Sequence, residues 1–146
     1  MIRRAVRPDT ANSIDLEIPF HDVDALRVVW HGHYCKYIEN AYLALLRSRG
    51  LDVLDIAGLG YRLFAADVHV RYLFPLRYGE RIRVYSWFLD VENRIHIACD
   101  LVSLTHGRRC AEAQIVLVTT DAEGALLFET PEPLLDRLRA PERTES

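Results

Sequence analysis

The chain has 146 residues, half of them apolar, enough for one buried core and cramped for two. Its 18 Lys+Arg against 21 Asp+Glu leave a formal charge of −3, which gives no global attraction to nucleic acid or an anionic membrane, so any phosphate recognition must be local. Cys35, Cys99 and Cys110 show neither C-x-x-C nor Cys/His ligand spacing, which argues against a disulfide framework and a structural zinc site; they are expected as reduced core thiols.

The opening segment, MIRRAVRPDTANS, has arginines but no apolar stretch of signal-peptide type, and no apolar run approaches the roughly 18 residues of a membrane span. A cytoplasmic protein without a membrane span is expected. Residues 13–20 alternate, with Ile14, Leu16, Ile18 and Phe20 on one side and Asp15 and Glu17 on the other, the pattern of a half-buried strand. Pro19 lacks an N–H for the ladder and assigns that end to an edge or bulge.

From Val29 the period changes. Tyr34, Tyr37, Ile38, Ala41 and Leu45 fall on one helical face, predicting a helix over residues 31–49 with Gly50 at its left-handed C-terminal cap. Residues 51–60 read as turn-rich. Four strands follow at about 64–72, 81–90, 95–104 and 109–119, separated by Pro75 with Gly79, by Glu92-Asn93, and by His106-Gly107. Hairpin-length connections imply an antiparallel meander. A short strand near 126–128, a short helix over 134–138 and a frayed charged tail to Ser146 complete the chain.

One long apolar-faced helix and five to six antiparallel strands share a core only if the sheet curls around the helix, an α+β arrangement over a single domain, residues 1–146, ordered from about 13 to 138. The face of the 95–104 strand bearing His96, Ala98, Val102 and Leu104 is more apolar than a solvated face needs, and the curled sheet leaves its convex side uncovered.

Polar residues crowd between the first strand and the helix, in the stretch FHDVDALRVVWHGHY beginning at Phe20. A carboxylate there can face the helix N-terminus, whose free N–H groups and dipole stabilise developing negative charge; a thioester needs that pairing of donors for its carbonyl and an oxygen base or nucleophile at its carbon. Asp24 also fits an Asx-turn or helix cap, and position alone leaves both readings open. His31 and His33, two apart, point to different sides of a helix and make a poor metal pair.

This stretch resembles the 4-hydroxybenzoyl-CoA thioesterase family of hot-dog proteins, including the short acyl-CoA thioesterases associated with the Tol-Pal system. Phe20, Asp22, Asp24, Val29 and Tyr34 fit the family pattern F-x-D-x-D-x-x-x-x-V-x-(Y/W/H)-x-x-Y in register, followed by Lys36-Tyr37-Ile38-Glu39. The turn from Tyr72 through Pro75 to Glu80, and residues 116–135, continue the likeness over most of the chain. The resemblance implies a hot-dog fold and hydrolysis of an acyl-CoA or acyl-carrier thioester without cofactor or metal. It makes Asp24 the catalytic carboxylate, as nucleophile or general base, and the backbone N–H of His31 or Gly32 the donor to the thioester oxygen. Asp22 is expected to organise the loop by hydrogen bonds. Glu39 is expected as a structural partner. Tyr34 and Arg27 are candidate substrate contacts; relatives often carry glycine where this chain has Arg27. A homodimer or homotetramer with its sites at subunit boundaries is implied too. The alternatives are a non-hydrolytic acyl-thioester binder or carrier-protein partner, and a hot-dog hydratase or dehydratase, whose HFPGxP-like and DxNPxHxD-like loops are absent. Trp30, Tyr37, Tyr61 and Phe64 are mainly expected in the core, with an acyl pocket as their other reading.

Overall fold

The computed structural model describes residues 4–140. The first three residues and the tail from residue 141, expected to fray, lie outside the described residues. The elements run β1 (Asn12–Glu17), 3₁₀ turns Phe20–Asp22 and His31–His33, α1 (Tyr34–Ser48), α2 (Val53–Gly58), β2 (Tyr61–Tyr72), β3 (Arg81–Asp90), β4 (Ile95–Ser103), β5 (Arg108–Asp121), β6 (Leu126–Leu127) and α3 (Glu132–Arg139).

The sheet is antiparallel in the order β1-β3-β4-β5-β2. The short β6 pairs with Thr119 and Thr120 of β5, just past Leu117, where β4 stops. The strands β3, β4 and β5 form the expected meander. Between β1 at one edge and β2 at the other the chain runs through α1, which packs against β1, β3 and β4, so the sheet holds the helix on one face. This is why the helical period interrupts the strand period only once.

Tyr34, Tyr37, Ile38, Ala41, Leu45 and Leu46 form the buried face of α1 and meet Ile82, Val84, Ile97, Leu101 and Ile115 of the sheet. Gly50, at φ +70°, ends the helix; its N–H reaches Arg47 O at 2.9 Å and the Leu51 N–H reaches back to Leu46 O at 2.9 Å. The regular helix begins at Tyr34 because residues 31–33 take the tighter 3₁₀ path.

Four expectations change. Residues 51–60 contain α2, opened by a capping box in which Asp52 and Asp55 bond each other's backbone ends, and β2 begins at Tyr61, before the turn composition suggested. Phe20 leaves the strand's apolar face for a 3₁₀ turn, where its exposed ring meets Tyr78 edge-on at 5.6 Å. Cys35 is exposed, since it follows Tyr34 by one residue and turns off the buried stripe, whereas Cys99 and Cys110 are buried. The convex face is partly covered. Ala98 and Asp100 are buried there, with Arg4 and Ala5 over them, Arg7 3.9 Å from Asp100 and 3.8 Å above the Tyr85 ring, and Arg4 3.7 Å from Glu112.

These contacts rank two substitutions. Ile38→Ala, at the fully buried centre of α1, should cost about 2–5 kcal/mol in urea unfolding. Asp52→Ala should cost about 1 kcal/mol by removing a cap. A larger loss for the cap than for the core would contradict this packing.

Candidate active site

Between the two 3₁₀ turns the chain makes a small hairpin closed by a bridge between Val23 and Val29. Asp24 N–H donates to Val28 O at 3.0 Å, Arg27 N–H donates to Asp24 O at 2.9 Å, and Leu26 N–H donates to Asp24 Oδ1 at 2.8 Å. This is a β-turn followed by a left-handed residue, Arg27 at φ +64°, the one non-glycine with positive φ among the described residues. The glycine that the family resemblance implies at this position would fit this backbone conformation without strain. Asp24 uses one oxygen in an Asx-turn, while Oδ2 has no protein partner among the described residues.

Asp22 is 2% exposed. Lys36 Nζ donates to its Oδ1 at 2.6 Å and the Tyr37 hydroxyl to its Oδ2 at 2.6 Å, while its carbonyl accepts Trp30 N–H at 3.1 Å. The side chain therefore ties the loop to α1. Burial pushes this carboxyl up, but the Lys36 and Tyr37 hydrogen bonds outweigh it and hold the group below the ordinary carboxylate range. The same arrangement, with burial the larger cause, drives the Tyr37 hydroxyl up, so it stays a donor.

At the helix start, His31 and Gly32 occupy positions where an N–H has no intrahelical acceptor. The Trp30 indole lies over Gly32: a Cβ there would sit 2.3 Å from the ring, so glycine keeps this approach open. Both His31 and His33 contact the same indole, with centroids 5.1 and 5.2 Å away. Across from them, at the end of β2, the Tyr72 hydroxyl donates to His31 O at 2.8 Å and its ring meets Tyr34 edge-on at 4.8 Å. Burial pushes the Tyr34 hydroxyl up to about 12, against a lowering backbone hydrogen bond from Leu76. Val29, His31, Tyr34, Tyr72, Phe74 and Pro75 line an open cleft of about 280 Å³.

Of the predicted site residues, the cleft brings together His31 and Tyr34, with Gly32 between them in sequence. Asp24 does not line it, and Arg27 is exposed at the hairpin tip. Trp30, expected in the core, is exposed and covers Gly32, whereas Tyr37 is a core residue bound to Asp22. Tyr61 and Phe64 instead line a second, mostly apolar pocket of about 330 Å³ with Leu46, Ile56 and Leu63, between α1, α2 and the start of β2. Glu39, expected as a structural partner, is also on its wall. The sequence signal for this pocket was the Asp52…Asp55 capping spacing that opens α2.

Two measurements follow. Because the folded-state pKa of Asp22 is lowered, its contribution to stability is complete above the ordinary carboxylate range and is lost as pH falls through the folded value; acid unfolding of Asp22→Asn should lack that component. An unchanged acid profile would show that Asp22 is not linked to folding. Arg27→Gly should raise stability by up to about 1 kcal/mol through relief of the left-handed conformation, while Arg27→Ala should not. Equal stability of the two variants would remove the backbone explanation.

Comparison with known proteins identifies the family and the fold. A family model described as the thioesterase-like superfamily matches residues 18–138. A protein of Synechocystis sp. named "Putative esterase sll0410" is 30% identical over 81% of this chain and 72% of its own length. A Bacillus subtilis protein named "Putative acyl-CoA thioesterase YneP" is 28% identical over 52% of this chain, spanning about half (55%) of that relative. The structure of a thioesterase superfamily protein from Jannaschia sp. superposes with a TM-score of 0.84 at 16% identity, covering 93% of this chain and 96% of that one. With the helix-and-sheet architecture above, the chain belongs to the thioesterase-like superfamily, has its hot-dog fold and is a thioester hydrolase.

Proposed function

We propose that this protein hydrolyses acyl-CoA thioesters in the cytoplasm, with Asp24 as the reacting carboxylate and the N–H groups of His31 and Gly32 as donors to the thioester oxygen. The observation that supports this best is the hairpin itself. Its Val23–Val29 bridge folds Asp24 back toward the chain that enters the 3₁₀ turn, while the Asx bond holds one carboxylate oxygen and leaves the other unengaged. As general base, Asp24 takes a proton from water, whose oxygen attacks the carbonyl carbon; as nucleophile, it forms an anhydride that water then cleaves. Either way the C–S bond breaks, the sulfur leaves as thiolate and is protonated, and the oxyanion of the intermediate is met by the helix-start N–H groups. The resemblance of a relative named for acyl-CoA supports CoA as the donor.

A second copy completes this site in the proposal. Twelve residues of β2 form a free edge, with Phe64, Val68 and Tyr72 exposed along it. From Phe64, at the apolar pocket, to Tyr72, at the cleft, is about 26 Å along the strand, farther than a short or aromatic acyl group reaches from its carbonyl carbon within one chain. Antiparallel pairing of two β2 edges about their midpoint sets the pocket end of one copy beside the cleft end of the other. The pocket then takes the acyl group of a thioester whose carbonyl lies at the partner's helix start.

Asp24→Asn should keep the fold and lower thiol release from acyl-CoA by a hundredfold or more, on the order of 3 kcal/mol in barrier. His31→Ala should retain substantial turnover, because a backbone donor survives it. Near-normal activity of folded Asp24→Asn would reject the assignment, and tight acyl-CoA binding without turnover by the unaltered protein would mark a binding protein instead.

A further inference from the structure

We infer that Glu80 is a positioning residue for the reaction: its buried carboxylate fixes the turn from which both the Asp24 hairpin and the start of α1 are hung. The inference rests on the reading of Asp24 and the helix-start N–H groups as the reacting machinery. Glu80 is 4% exposed, in the Leu76–Glu80 turn between β2 and β3, far in sequence from the loop it serves. One oxygen accepts the Arg77 N–H at 2.6 Å; the other accepts the Ser103 hydroxyl at 2.8 Å and faces His106 Nε2 at 3.5 Å. Together these bonds draw the turn closed against β4.

The loop meets this turn at three points. Ile18 and the turn exchange two backbone bonds, Ile18 N–H to Glu80 O at 2.9 Å and Gly79 N–H to Ile18 O at 3.0 Å. Val29 N–H donates to Leu76 O at 2.8 Å, and Leu76 also bonds the Tyr34 hydroxyl through its backbone. Ile18 precedes the loop, Val29 closes the hairpin opposite Val23, and Tyr34 opens α1, so the turn holds the loop's entry, middle and exit. Leu76 is fully buried and cannot shift freely to compensate for a loose turn. The side chain that closes the turn internally is Glu80, and its role needs acceptor geometry, which glutamine reproduces: the amide oxygen accepts Arg77 N–H and the amide nitrogen donates to the Ser103 oxygen.

The test compares Glu80→Ala and Glu80→Gln with the unaltered protein, below any unfolding and with circular dichroism unchanged. For acyl-CoA hydrolysis, Glu80→Ala should lower kcat about tenfold or more with KM within about threefold, and Glu80→Gln should restore most of kcat. In an Asp24→Asn background, Glu80→Ala should add little further loss, because it acts through the same groups. Amide hydrogen exchange provides a readout independent of turnover: the Val29 and Arg27 amides should exchange at least about tenfold faster in Glu80→Ala, with those of Ile38 and Leu45 unchanged. If Glu80→Ala does not fold, Ser103→Ala, which removes one partner of the carboxylate, should show the same exchange pattern to a smaller extent. Unchanged loop exchange, unchanged kcat, or failure of glutamine to rescue would overturn the inference. Failure of the underlying reading is separate: it shows as full activity of Asp24→Asn or no hydrolysis by the unaltered protein, whatever the exchange data give.

Discussion

The buried carboxylate of Asp22 determines where this chain stops being sheet edge and becomes helix. An anion with almost no solvent contact is tolerable only if its oxygens are bonded, and Lys36 and Tyr37 from consecutive positions on α1 meet both of them. The residue that anchors the loop therefore also fixes the helix relative to it. Two residues later Asp24 begins a hairpin whose geometry is almost wholly backbone, with Arg27 in a left-handed conformation and Val29 returning to the helix start. Removing the Asp22 bonds would leave the loop joined to the fold mainly by the β2–β3 turn at Leu76 and Glu80.

The same logic of unsatisfied groups runs through the rest of the molecule. Edge strand β1 is short and carries Asp15 and Glu17, with Arg83 of β3 bonded to Asp15 at 2.7 Å; charge and brevity protect that edge. Edge strand β2 is twice as long and exposes Phe64, Val68 and Tyr72 beside Arg62, Asp67, His69 and Arg71, so it offers a longer edge carrying large apolar side chains that β1 does not show. On the convex face, burial pushes the Asp100 carboxyl up, while Arg109, Arg7 and Arg4 pull against that shift. The proposed contact between copies follows from the difference between the two edges, and it joins the cleft at one end of β2 to the apolar pocket at the other end of its partner.

Much of this was legible in the sequence because period and punctuation are local. The offsets of Tyr34, Tyr37, Ile38, Ala41 and Leu45 specified the buried helix face, and Gly50 its end. The bounds of β3 were readable from the turn residues on either side of it. What escaped depends on contacts between distant residues or on a single dihedral angle. Arg27 adopts positive φ because the hairpin demands it, which no side-chain pattern announces. The cover of Ala98 and Asp100 comes from Arg4 and Arg7, about ninety residues away. Cys35 was misjudged because a thiol's usual burial was weighed above its place one step off the helix stripe. The short helix α2 was hidden by glycines at both sides, although its paired aspartates were visible.

The central claim is that the reacting groups of one copy act on a thioester whose acyl end lies in the pocket of another. Subunit complementation tests it most directly. Asp24→Asn and Ala65→Trp, the second filling the apolar pocket, are each prepared alone, then dissociated together and reassembled. If the site is shared in a twofold dimer, half the reassembled dimers are mixed and each holds one intact site, so activity should recover to about a quarter of the unaltered level. A mixture no more active than its two components, with mixed dimers shown to form, would place the whole site within one chain and contradict the account.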